Sequence, residues 1–112
     1  MRLPLFPLHT VMFPGMAMPL HIFEDRYKLM VRRCLRANIP IGIVLIQQGV
    51  EANGEALPHP IGTMAYITEV EPLTDGRMNI TATGSSRFRI QEILKEEPYL
   101  EAEVEAFPLL AA

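Results

Sequence analysis

The sequence predicts a mainly β domain: a small curled sheet or partly open barrel of about six strands, its end or side covered by one α-helix inserted early. Three observations predict it. Proline and glycine punctuate short apolar runs along the 112 residues, one stretch alone carries helical spacing, and the second half alternates apolar and polar residues around a tight-turn signal.

The first segment, RLPLFPLHTVMFPGMAMPLHI, breaks its apolar runs at Pro4, Pro7, Pro14 and Pro19. Proline removes a backbone donor and is excluded from helix interiors, so these runs read as short strands near a sheet edge or as extended loops. FPG at Phe13 to Gly15 is a turn signal, with Gly15 free to take a positive φ. From Glu24 to Ala37 the spacing turns helical: Tyr27, Met30, Val31, Cys34 and Leu35 form one apolar stripe. Glu24 and Asp25 suit the positive end of the helix dipole, while Arg32, Arg33 and Arg36 lie toward the negative end. Asn38 and then Pro40 stop the helix.

Ile41 to Ile46 is continuously apolar and rich in β-branched residues, the pattern of a strand buried on both faces. Gln47 to Pro60 is a polar connection whose length points to mobility or function. A strand from Gly62 to about Glu71 leads into Thr74 to Gly76, the strongest hairpin signal in the chain. The next strand starts at Arg77 with Met78, Ile80 and Ala82 on one face; Gly84 marks a bulge or bend, and Phe88 and Ile90 resume the inward alternation. The last strand sets Glu101, Glu103 and Glu105 outward against Ala102, Val104 and Ala106, and antiparallel pairing brings Arg87 and Arg89 near that acidic row.

A chain of this length builds one core and buries roughly two-thirds of its unfolded surface. With 49% hydrophobic and 21% charged residues it is globular rather than disordered. The net charge of −3 gives no overall footprint for nucleic acid. Cys34 is the single cysteine, which excludes an internal disulfide and a cysteine-built zinc site and favours a reducing compartment. Pro4 and Pro7 interrupt any signal-peptide core, and no apolar run approaches the ~20 residues of a spanning helix. The reading is of a soluble, cytoplasmic protein without membrane attachment.

No motif carries catalysis or a cofactor. Ser85 and Ser86 lack a GxSxG setting. Cys34 falls on the apolar stripe and reads as a buried small hydrophobe. His9, His21 and His59 show no metal-binding spacing, and a phosphate-binding loop is absent. The alternating glutamates read as a solvated face. Five of the ten Lys and Arg residues fall between Arg26 and Arg36, a candidate surface for RNA or an acidic partner, though Glu24 and Asp25 dilute it. The seven methionines offer soft apolar surface, and Met16 and Met18, flanked by Gly15 and Pro19, are the ones expected to be exposed. Arg26 sits unfavourably at a helix N-terminus unless paired, so it is expected to bridge to Glu24 or to a partner.

Five separated blocks, LPLFPLHTVMFPG, PLHIFEDRY, IGTMAYI, DGRMNITATGSSRFRI and PYLEAEV, resemble in order and spacing the LON substrate-binding domain, and cover nearly the whole chain. The HIFEDRY form resembles the free-standing bacterial members most. The resemblance implies a PUA-like pseudo-barrel with the helix packed against it, and a non-enzymatic recognition role toward polypeptide substrates, with a protease or ATPase as partner. The ATPase and peptidase activities of Lon are not carried over, because no matching motif is present. Residues 1–112 are expected to form a single β domain. Free-standing members continue into a helical second half, whereas this sequence ends at FPLLAA, so a groove formed between halves would be incomplete. The expected binding residues are Met16, Met18, Asp25, Arg26 and Arg33, together with the Gln47 to Pro60 loop. They would take unfolded or exposed hydrophobic polypeptide segments, without cofactor or metal; the competing reading is an RNA-binding module using the basic helix.

Overall fold

The computed structural model describes residues 1–47 and 58–107. Strands β1 (Arg2–Leu8) and β2 (Ala17–Ile22) precede the helix α1 (Asp25–Ala37); β3 (Ile41–Ile46), β4 (Pro58–Pro72), β5 (Met78–Lys95) and β6 (Glu101–Ala106) follow. One sheet runs β2-β5-β4-β3-β1-β6, and a further β5–β6 pairing closes it into a pseudo-barrel. Closure is possible because β5 is long and serves two partners: Met78 to Thr83 pair with β2, and Phe88 to Lys95 pair with β6. All pairings are antiparallel except β1 with β3.

β1 is not a short edge strand. It lies between β3 and β6 despite Pro4 and Pro7, because it is paired on one side at a time. Arg2 to Pro4 pair with β6, and Leu5 to Leu8 pair with β3. The Leu5 N–H donates to the Leu100 carbonyl at 2.8 Å, so Leu3, Leu5 and Pro7 direct their backbone groups to the β6 side. Pro4 therefore faces the β3 side before that pairing begins, and Pro7 faces the β6 side after that pairing ends. Neither proline costs a ladder bond.

Two cores share the sheet. Leu3, Leu5, Val44, Met64, Phe88, Ala102 and Val104 fill the barrel. On the other face, α1 lays Tyr27, Met30, Val31 and Cys34 onto Phe6, Ile22, Ile41, Ile43 and Ile80. The unbroken apolar run of β3 is thus explained, since Ile41 and Ile43 meet the helix while Val44 enters the barrel. Leu35 departs from the expected stripe and is exposed. At 3.6 residues per turn it lies roughly 90° from the centre of the buried row, on the flank of a helix that covers the sheet with a narrow face.

Turns follow the sequence closely. Gly15 takes φ +84°, and Asp75 and Gly76 both take positive φ in the β4–β5 hairpin. Asn38 caps the helix in the left-handed region, at φ 53°. Gly84 does not interrupt β5. It sits beside a bulge, where a Cβ would meet the Phe13 carbonyl oxygen at 2.6 Å, and glycine there lets the Phe13–Met16 turn approach the strand. β4 begins at Pro58, four residues before the expected start. Of the connection from Gln47 to Pro60, residues 48–57 lie outside the described residues.

The glutamates of β6 grade inward instead of sharing a solvated face. Glu105 is exposed and Glu103 half-buried, but Glu101 is 4% exposed. Its carboxylate is covered by two arginines: Arg2 Nε at 3.0 Å and Arg33 Nη2 at 3.6 Å. Arg89 faces Glu105 across the β5–β6 ladder as expected, whereas Arg87 pairs with Thr63 of β4.

Candidate functional site

An open groove of about 1310 Å³ runs between the end of β1, the strand β2, the start of α1 and the β5–β6 connection. Phe6, Leu8, Leu20 and Phe23 line one part of it, and Ile93, Pro98 and Leu100 another. Ile46 and Pro58 border it as well. Its volume exceeds the usual ~300–1,000 Å³ of a small-molecule pocket, and its lining is largely apolar. A groove of this shape accommodates a chain segment.

The β2–α1 junction builds the charged part of the site. Glu24 is the helix N-cap position, with extended backbone and no side-chain cap bond, so its carboxylate is left to Arg26 at 3.3 Å. That is the pairing expected for an arginine at a helix N-terminus. The Arg26 guanidinium also lies 4.7 Å above the Tyr27 ring, and Tyr27 stacks on Phe6 with centroids 4.3 Å apart. Burial pushes the Tyr27 phenol up from its ordinary value, opposed by the Arg26 charge. The junction is therefore both a helix start and a site wall, with Tyr27 anchoring the wall to the core.

Phe23 is the residue that sequence reading missed. It is 59% exposed, lines the groove and stacks against His21 at 5.7 Å. The signal available was its place between β2 and α1, where neither strand alternation nor helical spacing assigns it to a core. Ile93 is likewise exposed within the groove.

Of the five expected binding residues, only Arg26 lines this groove. Asp25 is fully exposed beside it and pairs with Lys28 at 3.5 Å. Met16 is exposed at the turn before β2, but Met18 is buried, contrary to expectation. Strand alternation sets Met18 on the same inner face as Ile22. Arg33 donates through Nη1 to the Tyr99 hydroxyl at 2.9 Å, and this bond, with Glu101 behind it, holds its guanidinium above the ordinary value. The structure thus employs Arg33 in joining α1 to β6.

The basic helix is largely engaged within the chain. Lys28 donates to the Asp75 carbonyl at 3.0 Å, and Arg26 and Arg33 are held as described. Arg32 and Arg36 make no ion pair among the described residues. His9 and His21 border the groove while His59 lines a separate cavity of about 290 Å³, and His21 Nδ1 meets Asn79 Oδ1 at 2.8 Å rather than a carboxylate. Among the described residues no cluster of His, Cys, Asp and Glu is placed to hold a metal. Cys34 is buried, and burial pushes its thiol up to about 11 despite the neighbouring Arg33. It is not a reactive thiolate. No helix among the described residues is long and apolar enough to cross a membrane.

The β2–α1 junction thus forms one wall of a largely apolar groove on a pseudo-barrel. The comparisons with known proteins give the family. The sequence model of the ATP-dependent protease La (LON) substrate-binding domain matches residues 2–109, and the chain belongs to that family. The Lon protease of Syntrophus aciditrophicus is 33% identical over 108 residues, which is 92% of this chain and 14% of that protein. The Lon protease of Flavobacterium johnsoniae is 34% identical over 104 residues, 91% of this chain and 13% of that protein. Among solved structures, a Lon N-terminal domain protein from Xanthomonas campestris superposes with TM-score 0.80 at 36% identity, over 95% of this chain and 59% of that one. The N-terminal domain of the Mycobacterium avium complex Lon protease superposes with TM-score 0.74 at 18% identity, over 100% of this chain and 57% of that one, and shares the fold. This chain spans about one-seventh of the length of the curated relatives. The match lies in the non-catalytic substrate-binding domain and does not reach the protease domain.

Proposed function

We propose that the chain recognises exposed apolar segments of polypeptides through the groove at the β2–α1 junction, serving Lon-type ATP-dependent proteolysis in the cytoplasm. The observation that carries this reading is the groove itself, about 1310 Å³ with Phe23 and Ile93 exposed in it. An exposed aromatic costs solvation in the free protein and supplies large contact area at small entropic cost when covered. The family supports the same role, since its domain is named for substrate binding.

The test is binding of the purified chain to a reduced, unfolded model protein and to a short single-stranded RNA, each at low and high salt. Apolar recognition gives association with the unfolded protein that persists at high salt and is weakened by Phe23→Ala. Salt-sensitive RNA binding would instead move the site to Arg32 and Arg36.

A further inference from the structure

We propose that the groove selects apolar segments carrying a lysine or arginine, and holds them by their side chains rather than as an added strand. The inference rests on the reading of the groove as a polypeptide site, and two observations support it.

The first is charge. Glu24 in the groove is matched by Arg26 at 3.3 Å. Glu96 and Glu97, on the β5–β6 connection, also line the groove and make no ion pair among the described residues. The apolar lining is therefore bordered by two unmatched carboxylates and no unmatched lysine or arginine. Such a site attracts a cation on its occupant and repels an anion.

The second is the state of the strand edges. The β6-facing side of β1 beyond Leu5 and the outer side of β2 carry no strand pairing among the described residues, and both strands border the groove. An unpaired edge ordinarily invites an extended peptide. On β1 the next backbone directed to the free side belongs to Pro7, which has no N–H. On β2 the Gly84 N–H donates to the Met16 carbonyl at 2.9 Å, so Met16, Met18, Leu20 and Ile22 direct their backbone to β5. Ala17, Pro19 and His21 are then left facing outward, again with a proline at the centre. Each edge loses a donor where a ladder would have to form, and the occupant is left to side-chain contacts.

The experiment measures fluorescence anisotropy of the full chain with labelled peptides of one apolar sequence that differ only in a central Lys, Gln or Glu. A fourth peptide carries the Lys with alternate backbone amides N-methylated, which removes strand pairing. At low salt the Lys peptide is expected to bind roughly 3- to 10-fold more tightly than the Gln peptide, and the Glu peptide more weakly than either. The double variant Glu96→Gln, Glu97→Gln is expected to erase that order, bringing the Lys and Glu peptides to within about 2-fold of the Gln peptide. The methylated peptide is expected to bind within about 2-fold of its parent, whereas dependence on a strand ladder would cost it about 10-fold or more. Equal affinity for the three peptides, an order that survives in the double variant, or the larger loss on methylation would each overturn this inference and leave the groove as a polypeptide site. Failure of all the peptides to bind would overturn both.

Discussion

Replacing Glu101 by alanine removes the one buried acid among the described residues. Its Oε1 forms ion pairs with Arg2 Nε at 3.0 Å and with Arg33 Nη2 at 3.6 Å. Removing one partner of a fully buried ion pair costs about 3–5 kcal/mol. The two arginine side chains are 50% and 53% exposed, so they recover hydration when the carboxylate is gone. The net cost is therefore set below that range, at about 2 kcal/mol. For a domain of this size that corresponds to a fall in Tm of roughly 8–16 °C. Glu101→Gln retains the shape and one acceptor oxygen, and is expected to lose about half as much. Urea denaturation followed by circular dichroism measures both, and the cycle with Arg2→Ala should show a coupling of about 1–2 kcal/mol. A Glu101→Ala protein within about 0.5 kcal/mol of the parent would refute the claim that this carboxylate ties the N-terminus and helix to β6.

Three further outcomes follow from the packing. Gly62→Ala should cost about 3 kcal/mol or more by urea denaturation, because its Cβ would stand 2.5 Å from the backbone oxygen of Ile43 and 2.6 Å from Phe88. Asn38→Gly should raise stability by roughly 0.5–1 kcal/mol, since the left-handed cap at φ 53° is unstrained for glycine; thermal melts of the two proteins decide it. Cys34 gives a pH dependence: its thiol is raised from 9.0 to about 11, so the folded state holds a proton that the unfolded state has lost. The associated stability is present below pH 9 and lost as pH rises toward 11, at most about 2–3 kcal/mol relative to Cys34→Ala. Parallel pH profiles for the two proteins would contradict this assignment.

The fold was legible because its local signals agree with the global arrangement. The helix, the hairpin at Asp75 and Gly76, the turn at Gly15 and the doubly buried β3 each follow from spacing or turn chemistry. Those features that escaped depend on pairing across the chain. Pro4 and Pro7 suggested an edge, and only the switch from β6 to β3 midway along β1 shows how a central strand carries both. Glu101 alternates with Ala102 like any solvated residue, and nothing local predicts that Arg2 and Arg33 will close over it. The site was legible in part. Arg26 and its bridge to Glu24 follow from helix electrostatics, but Met18 belongs to the core, and Phe23 escaped because a junction residue has no periodicity to betray it. The groove itself joins residues more than seventy positions apart, from Leu20 to Ile93, and no sequence pattern records that proximity.

Polypeptide binding in the groove is tested most directly by titrating the isotopically labelled chain with a reduced, unfolded model protein and following backbone amide chemical shifts. The shifts are expected to concentrate at Leu8, Leu20, Phe23 and Ile93, to persist at high salt and to be lost in Phe23→Ala at unchanged stability. Shifts confined to Arg32, Arg36 and the outer face of the helix, with the groove silent, would contradict it.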